Sequence, residues 1–355
     1  MKGMITLLFL VTSIGAVYLF SASWYFARAV FDDPFRLWRR QLLWLLLGAL
    51  AAAAVYRLPR SLIRRSVPAL VWTALGLNLL TYLPGIGYQS GGARRWIEIF
   101  GLTFQPSEFM RVVLVLYLAR MLEKNHGKLD KFWDSLLPPL LIIVVLILSV
   151  YFQNDFSTVA SLLLISLILF FSAGVSRVAI GLLTFSGFVI SAGMLLIKPY
   201  RRVRILSWLN PNSDPVGAGY QFLKARTALE RGGLWGQGIG QGIMKKGGLP
   251  SSHSDFLVAV IGEESGMIGI IIVLLLFTFI ALKGWAAAGE AGDLFSYWSI
   301  FGLITAVYWQ VLVNFAVVSG VLPPTGIPLP LFSAGGSAAF MTLVSFGLIL
   351  NLARK

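Results

Sequence analysis

The sequence predicts an all-α integral membrane protein of about ten transmembrane helices, with a large extracytoplasmic loop between the seventh and eighth spans. Three observations predict it. Of 355 residues, 57% are hydrophobic and 12% charged, about half the charged share of an ordinary soluble domain and too little to coat a water-soluble surface. The apolar residues fall into charge-free windows, most of them near the roughly 20 residues a spanning helix needs. Cysteine is absent, which excludes a disulfide-stapled scaffold, a thiol nucleophile and a thiolate metal site. A net charge of +14 at pH 7 is the remaining oddity, since burial in lipid does not call for it.

A charge at mid-bilayer costs about 2.5–3.5 kcal/mol, so the charge-free windows mark the spans. In chain order they are 3–27, 41–56, 66–93, 135–154, 156–176, 178–197 and 265–282. The first could be a signal peptide ending at Ser21-Ala22-Ser23, but its apolar run exceeds an h-region of about 7–15 residues and reads as a span. A last window, 294–353, is too long for one crossing and is expected to fold back at Pro323-Pro324-Thr325-Gly326-Ile327-Pro328-Leu329-Pro330. Another span, about 104–122, carries Glu108 and Arg111. Gln105-Pro106-Ser107-Glu108 reads as its start, with proline in the first turn and an acid against the helix dipole. Segment 198–256 is too rich in glycine and charge to cross, and forms the large loop of a single membrane domain over 1–355. Neither a fixed-period repeat nor inverted halves are visible.

Ten spans put both termini on one face. The loops of that face and the termini hold thirteen basic residues and the short loops of the other face hold six, so the short-loop rule assigns both termini to the cytoplasm. Nine more basic residues lie in 198–256, on the outer face and against the usual bias. Four of them, Lys198, Arg201, Arg202 and Arg204, stand at a membrane exit. They are either headgroup anchors or receivers of an anionic ligand.

Other polar features on that face also carry two readings. Gly232-Gly233-Leu234-Trp235-Gly236-Gln237-Gly238-Ile239-Gly240-Gln241-Gly242 is a flexible interfacial turn or a cradle for phosphate. Asp255, in Leu249-Pro250-Ser251-Ser252-His253-Ser254-Asp255-Phe256, is a helix N-cap or a general base near His253, Glu263 and Glu264. Glu108 and Arg111 share a helix face and can pair. A buried ion pair is poor evidence of stability, so a cavity open to the outer leaflet is the better reason for a pair inside a span. Arg40, Arg94, Arg95, Gln153-Asn154-Asp155-Phe156-Ser157-Thr158 and Ser333-Ala334-Gly335-Gly336-Ser337 gather on the same face.

Read together, these segments resemble the SEDS family (shape, elongation, division and sporulation), the FtsW and RodA peptidoglycan glycosyltransferases, over most of the chain and in order. Gly92 to Ile97 with Gln105 to Glu108 resembles the family's G-A-x-R-W-I and Q-P-S-E. Gln153 to Thr158 resembles Q-P-D-F-G-T, and Leu249 to Glu264 resembles L-P-E-x-H-T-D-F-I-F-A-V-I-x-E-E. Pro324 to Pro330 with Ser333 to Ser337 resembles P-x-T-G-x-P-L-P-F-x-S-x-G-G-S. Gly236 to Gly240 with Lys245-Lys246 is closer to the FtsW branch than to RodA. Departures are Arg111 where the family usually has Lys, Asn154 and Ser157 for Pro and Gly, Ser251 for Glu and Ser254 for Thr. None removes Asp255.

The resemblance implies a bacterial cytoplasmic-membrane enzyme that polymerises lipid II, a disaccharide-pentapeptide on undecaprenyl pyrophosphate, for division or elongation. Asp255 is implied as the base that takes the acceptor hydroxyl proton. Arg40, Arg95, Glu108, Arg111, Arg201, Arg202, Arg204, Lys245 and Ser333 are the candidate substrate-binding residues, the cations answering the pyrophosphate. A divalent cation there is compatible with the chemistry, though no ligand set is named. Expected partners are lipid II, membrane lipid and a class B penicillin-binding protein, and not nucleic acid. The rival functions are a lipid II flippase and a non-catalytic scaffold.

Overall fold

The computed structural model describes residues 2–90, 93–99, 101–129, 136–176, 180–181, 184–185, 187, 199–213, 217 and 219–354. The helices are α1 (Lys2–Phe31), α2 (Arg36–Arg57), α3 (Arg60–Leu80), α4 (Pro106–Lys124), α5 (Leu137–Tyr151), α6 (Phe156–Ser172), α7 (Pro199–Leu209), α8 (Tyr220–Gly232), α9 (Leu257–Gly289), α10 (Leu294–Val318) and α11 (Gly336–Leu352). Among the described residues nine of the expected spans are thus helices: α1 to α6 and α9 to α11. The span expected over 178–197 lies largely outside the described residues. Gly92, in the first of the family motifs, and Lys198 lie outside them too.

Helices α1, α9 and α10 are each long and apolar enough to cross a membrane alone. Helices α5, α6 and α11 are apolar but shorter. Pro59 precedes α3, and α2 and α3 meet at 118° across that break. Asp155 caps α6 by accepting from Thr158 N at 3.3 Å, and Asp293 caps α10 by accepting from Ser296 N at 3.0 Å. Helix α4 is buried almost all round. It packs against α3, α5, α6, α10 and α11 and is the axis of the fold.

One expected span is corrected. The window 66–93 is not helical throughout: α3 stops at Leu80, and the chain turns into an antiparallel sheet of β1 (Gly87–Ser90), β2 (Ala93–Ile99) and β3 (Leu102–Phe104), in the order β1-β2-β3. Pro84 and Gly85, the latter at φ +86°, break the helix. Absence of charge does not make a helix where turn residues and a strand-forming pattern follow. The sheet is small, so the all-α membrane class stands.

Segment 198–256 is more ordered than a plain loop, with α7 and α8 inside it. Its glycine-rich turn is fixed to a break in α9 at Gly266, whose φ of +66° and ψ of −169° are not helical. Such a break frees carbonyls on one side and amides on the other. The turn answers both. Gln237 N donates to Glu263 O at 3.0 Å and Gly238 N to Glu264 O at 2.9 Å, while Met267 N donates to Gly233 O at 2.9 Å. Cβ atoms added at Gly232 and Gly236 would lie 1.9 Å and 2.3 Å from the carbonyl oxygens of Gly262 and Glu264. These two glycines serve backbone-to-backbone packing, not a phosphate cradle.

Candidate functional site

Asp255 lies in the turns just before α9 and is half-buried. Its main chain is fixed from α10: Asn314 Nδ2 donates to Asp255 O at 3.0 Å and to Ile327 O at 2.8 Å. The proline-rich return therefore runs beside the carboxylate, so closely that a Cβ on Gly326 would be 3.7 Å from Asp255 Oδ2. Arg204, on α7, reaches the same return by donating to Pro324 O at 3.2 Å. Burial raises the Asp255 carboxyl above the usual carboxylate range, while the Arg204 guanidinium, the Ser254 hydrogen bond and the Arg95 guanidinium pull it down. Burial prevails. The structure thus gathers one carboxylate and two guanidinium groups from three distant stretches of sequence.

Arg95, on β2, donates to Asn154 O at 2.6 Å and faces Asp155 at 3.6 Å. Asn154 has φ +61°, which asparagine tolerates and proline cannot adopt, so the departure at this motif position has a backbone counterpart. Asp155 also accepts from Gln105 Nε2 at 3.1 Å. Next to this lies a polar cavity of about 190 Å³ lined by Arg40, Trp44, Trp96, Thr103, Gln105 and Ser337 among others. Arg40 donates to Thr103 Oγ1 at 2.6 Å.

Glu108 and Arg111 pair at 2.6 Å, both buried. Arg111 also donates to Gln310 Oε1 at 2.7 Å, and Gln310 Nε2 donates to Pro328 O at 3.2 Å. Gln310 and Asn314, four residues apart on one face of α10, therefore connect the ion pair to the return and to Asp255. Sequence reasoning missed both. Two carboxamides at helical spacing inside a charge-free window were the available signal.

The remaining candidates are committed elsewhere. Ser333 Oγ donates to Ser254 O at 2.6 Å and accepts from Leu329 N at 3.0 Å, so it holds backbone near Asp255. Lys245 is buried in a second cluster, with Nζ 2.5 Å from Glu264 Oε1, 2.5 Å from Ser21 Oγ and 2.9 Å from Gly240 O. Glu263 accepts from Ile243 N at 2.9 Å and Met244 N at 3.1 Å. The two glutamates thus fasten the glycine-rich turn and are not neighbours of the base. His253 stacks on Phe26 with ring centroids 4.5 Å apart, and burial pushes its imidazole down. Arg201 and Arg202 lie on α7, their side chains outside the described residues. Among the described residues no group of three or more His, Asp or Glu side chains could hold a metal.

Residues 1–355 match the cell cycle protein family of FtsW, RodA and SpoVE. The chain belongs to that family. It is 35% identical to a probable peptidoglycan glycosyltransferase FtsW of a Geobacter species, over 98% of this chain and 94% of the relative. It is 36% identical to stage V sporulation protein E of Bacillus subtilis, over 99% and 95%. The fold superposes with TM-score 0.81 and 28% identity on a chain of a peptidoglycan synthase complex described for its coordination of polymerization and crosslinking, covering 100% of this chain and 97% of that one. This FtsW/RodA family member is therefore a multi-pass membrane protein.

Proposed function

We infer that the protein is a peptidoglycan glycosyltransferase that polymerises glycan strands in division or elongation. Membership of the FtsW/RodA family over the whole chain and the glycosyltransferase names of its relatives support this activity. The observation that carries the mechanism is a half-buried carboxylate, Asp255, held between the fields of Arg95 and Arg204.

Lipid II is the proposed donor and acceptor. Asp255 takes the proton of the acceptor sugar 4-hydroxyl as its oxygen bonds to the donor anomeric carbon. The bond from that carbon to the lipid pyrophosphate breaks, and the electron pair leaves with the pyrophosphate. A raised pKa suits the base, because it narrows the gap to the hydroxyl. Arg95 and Arg204 answer the charge that develops on the leaving group. Arg40 and the adjoining cavity hold sugar, and Glu108 with Arg111 positions the return through Gln310. Lys245 and Ser333 act through the backbone they fasten. The orientation we propose has both termini in the cytoplasm and Asp255 on the outer face. A class B penicillin-binding protein is the proposed partner, a crosslinking enzyme suited to a chain that superposes on part of a complex coordinating polymerization and crosslinking.

Lipid II polymerisation by purified protein, with Asp255→Asn beside the parent and the transpeptidase present, tests this reading. Loss of a general base costs about 10²–10⁴-fold. Polymer made equally well by the variant would remove Asp255 from the mechanism. Lipid translocation without polymer would favour a flippase, and a normal complex with no polymer from either form would favour a scaffold.

A further inference from the structure

The glycine-rich turn has a surface that the glycosyl transfer does not use. Residues 232–244 carry no charge between Arg231 and Lys245. Leu234, Trp235, Ile239 and Ile243 are 66%, 81%, 60% and 47% exposed. So dense an apolar patch marks a contact with something apolar.

Its depth can be measured along α1. A Cβ on Gly3 of α1 would meet Lys283 Nζ of α9 at 3.4 Å, so these residues lie within the reach of a lysine side chain of one level. Tyr18 of α1 and Ser265 of α9 are hydrogen-bonded, and mark a second level. At about 1.5 Å per residue the rise between levels is about 22 Å along α1, against a hydrocarbon core of about 30 Å. With the start of α1 at the near edge of the hydrocarbon core, the second level falls inside the far leaflet, a turn or two below Trp24 and Tyr25, which suit an interfacial aromatic belt.

The turn is attached at that level. Ile268 N donates to Leu234 O at 3.3 Å, and Lys245, at the end of the turn, bonds Ser21 of α1 at 2.5 Å. Met267, Ile268, Ile271 and Ile272 on α9 are exposed apolar side chains of a spanning helix, and the patch continues their surface. Irregular backbone survives at such depth only where it is packed against protein with its polar groups satisfied, and Gly232 and Gly236 pack against the Gly262 and Glu264 carbonyls of α9. The bonds of Gly233, Leu234, Gly236, Gln237 and Gly238 meet that condition for the inner side of the turn.

We propose that residues 232–244 form a re-entrant wedge whose Leu234, Trp235, Ile239 and Ile243 insert among phospholipid acyl chains just below the headgroups. The leaflet is the outer one in the orientation proposed above, and the wedge itself stands whichever orientation holds. Because the chain has no cysteine, single-cysteine variants give clean probes. L234C, W235C and I239C, nitroxide-labelled in bilayer discs of phosphatidylethanolamine and phosphatidylglycerol, are compared with I271C on the lipid-facing side of α9 and R226C on α8. Oxygen collisions should exceed nickel-chelate collisions at 234, 235 and 239, as at 271, and fall below them at 226. Nickel-dominated relaxation at 235 and 239 would overturn the proposal, including the case where those labels become shielded only on adding the transpeptidase, which would give the patch to a protein. The exposed positions tolerate substitution, and elution as a monodisperse species confirms folding independently of activity.

Discussion

Burial and two guanidinium groups pull the proton affinity of Asp255 in opposite directions, and burial wins. Its charged form is therefore scarcer in mildly acidic solution than for an ordinary carboxylate, and the acidic limb of the rate profile lies higher in pH. Arg204 opposes that shift, so Arg204→Gln should move the acidic limb of kcat/KM to still higher pH in addition to slowing the reaction. A pH series on lipid II polymerisation checks it. An unmoved limb would mean that the cation does not act on the base. The linkage runs the same way for stability. An acid with a raised folded pKa contributes stability below its unfolded value and loses it as pH rises through the folded one. Lys245 belongs to a different problem: its ammonium is buried against Glu264 and two further acceptors, an arrangement for fixing a loop rather than for meeting a ligand.

Helix α9 shows what one residue does to an element. Gly266 takes a left-handed φ of +66°, and a Cβ there would lie 2.2 Å from Leu234 O. Both the conformation and the contact exclude a side chain. Gly266→Ala should thus destabilise the protein by about 1–3 kcal/mol, the usual scale for strain at such positions, and loosen the glycine-rich turn from the helix. Gly289→Ala, with nothing within 4 Å, is the matched control and should be neutral. Thermal challenge in detergent followed by size exclusion distinguishes them. Equal melting of both variants would mean that the break in α9 relaxes without cost. On α10, by contrast, Gln310 and Asn314 cause no break. Their carboxamides satisfy carbonyls of the return, which has few donors of its own because of its prolines.

For the whole molecule the question is direction in the bilayer. Arg64 pairs with Glu123 at 2.6 Å, and Asn351 Nδ2 donates to the carbonyls of Val55, Tyr56 and Leu58 at 2.8–3.0 Å. The ends of α2 and α11 thus meet at one pole, as do the start of α3 and the end of α4, with basic side chains at both places. Placing these poles in the cytoplasm satisfies the short-loop charge bias. With His126→Cys after α4 and Arg226→Cys on α8 in this cysteine-free chain, a membrane-impermeant maleimide should label position 226 in intact cells and position 126 only after permeabilisation. The reverse pattern would invert the orientation.

Much of the architecture was legible because charge is excluded from lipid at a cost larger than most local preferences, so the gaps between charges delimit the helices. That rule overran at 66–93, where neutral turn and strand residues follow α3 and hydropathy has nothing to say about hydrogen-bond partners. The candidate base was legible as a residue, and so was the Glu108–Arg111 pair, since both depend on local sequence. Their surroundings were not. Glu263 and Glu264 are close to Asp255 in sequence but turn to the glycine-rich segment. Arg95, Arg204 and Asn314 are far apart in sequence and converge on it. The sequence by itself determined a multi-pass membrane protein of the FtsW/RodA family, because composition and motif order do not depend on packing. Only the tertiary structure decided which charges distant in sequence face one another, because that follows from how distant helices and the sheet are brought together, and no spacing along the chain encodes it.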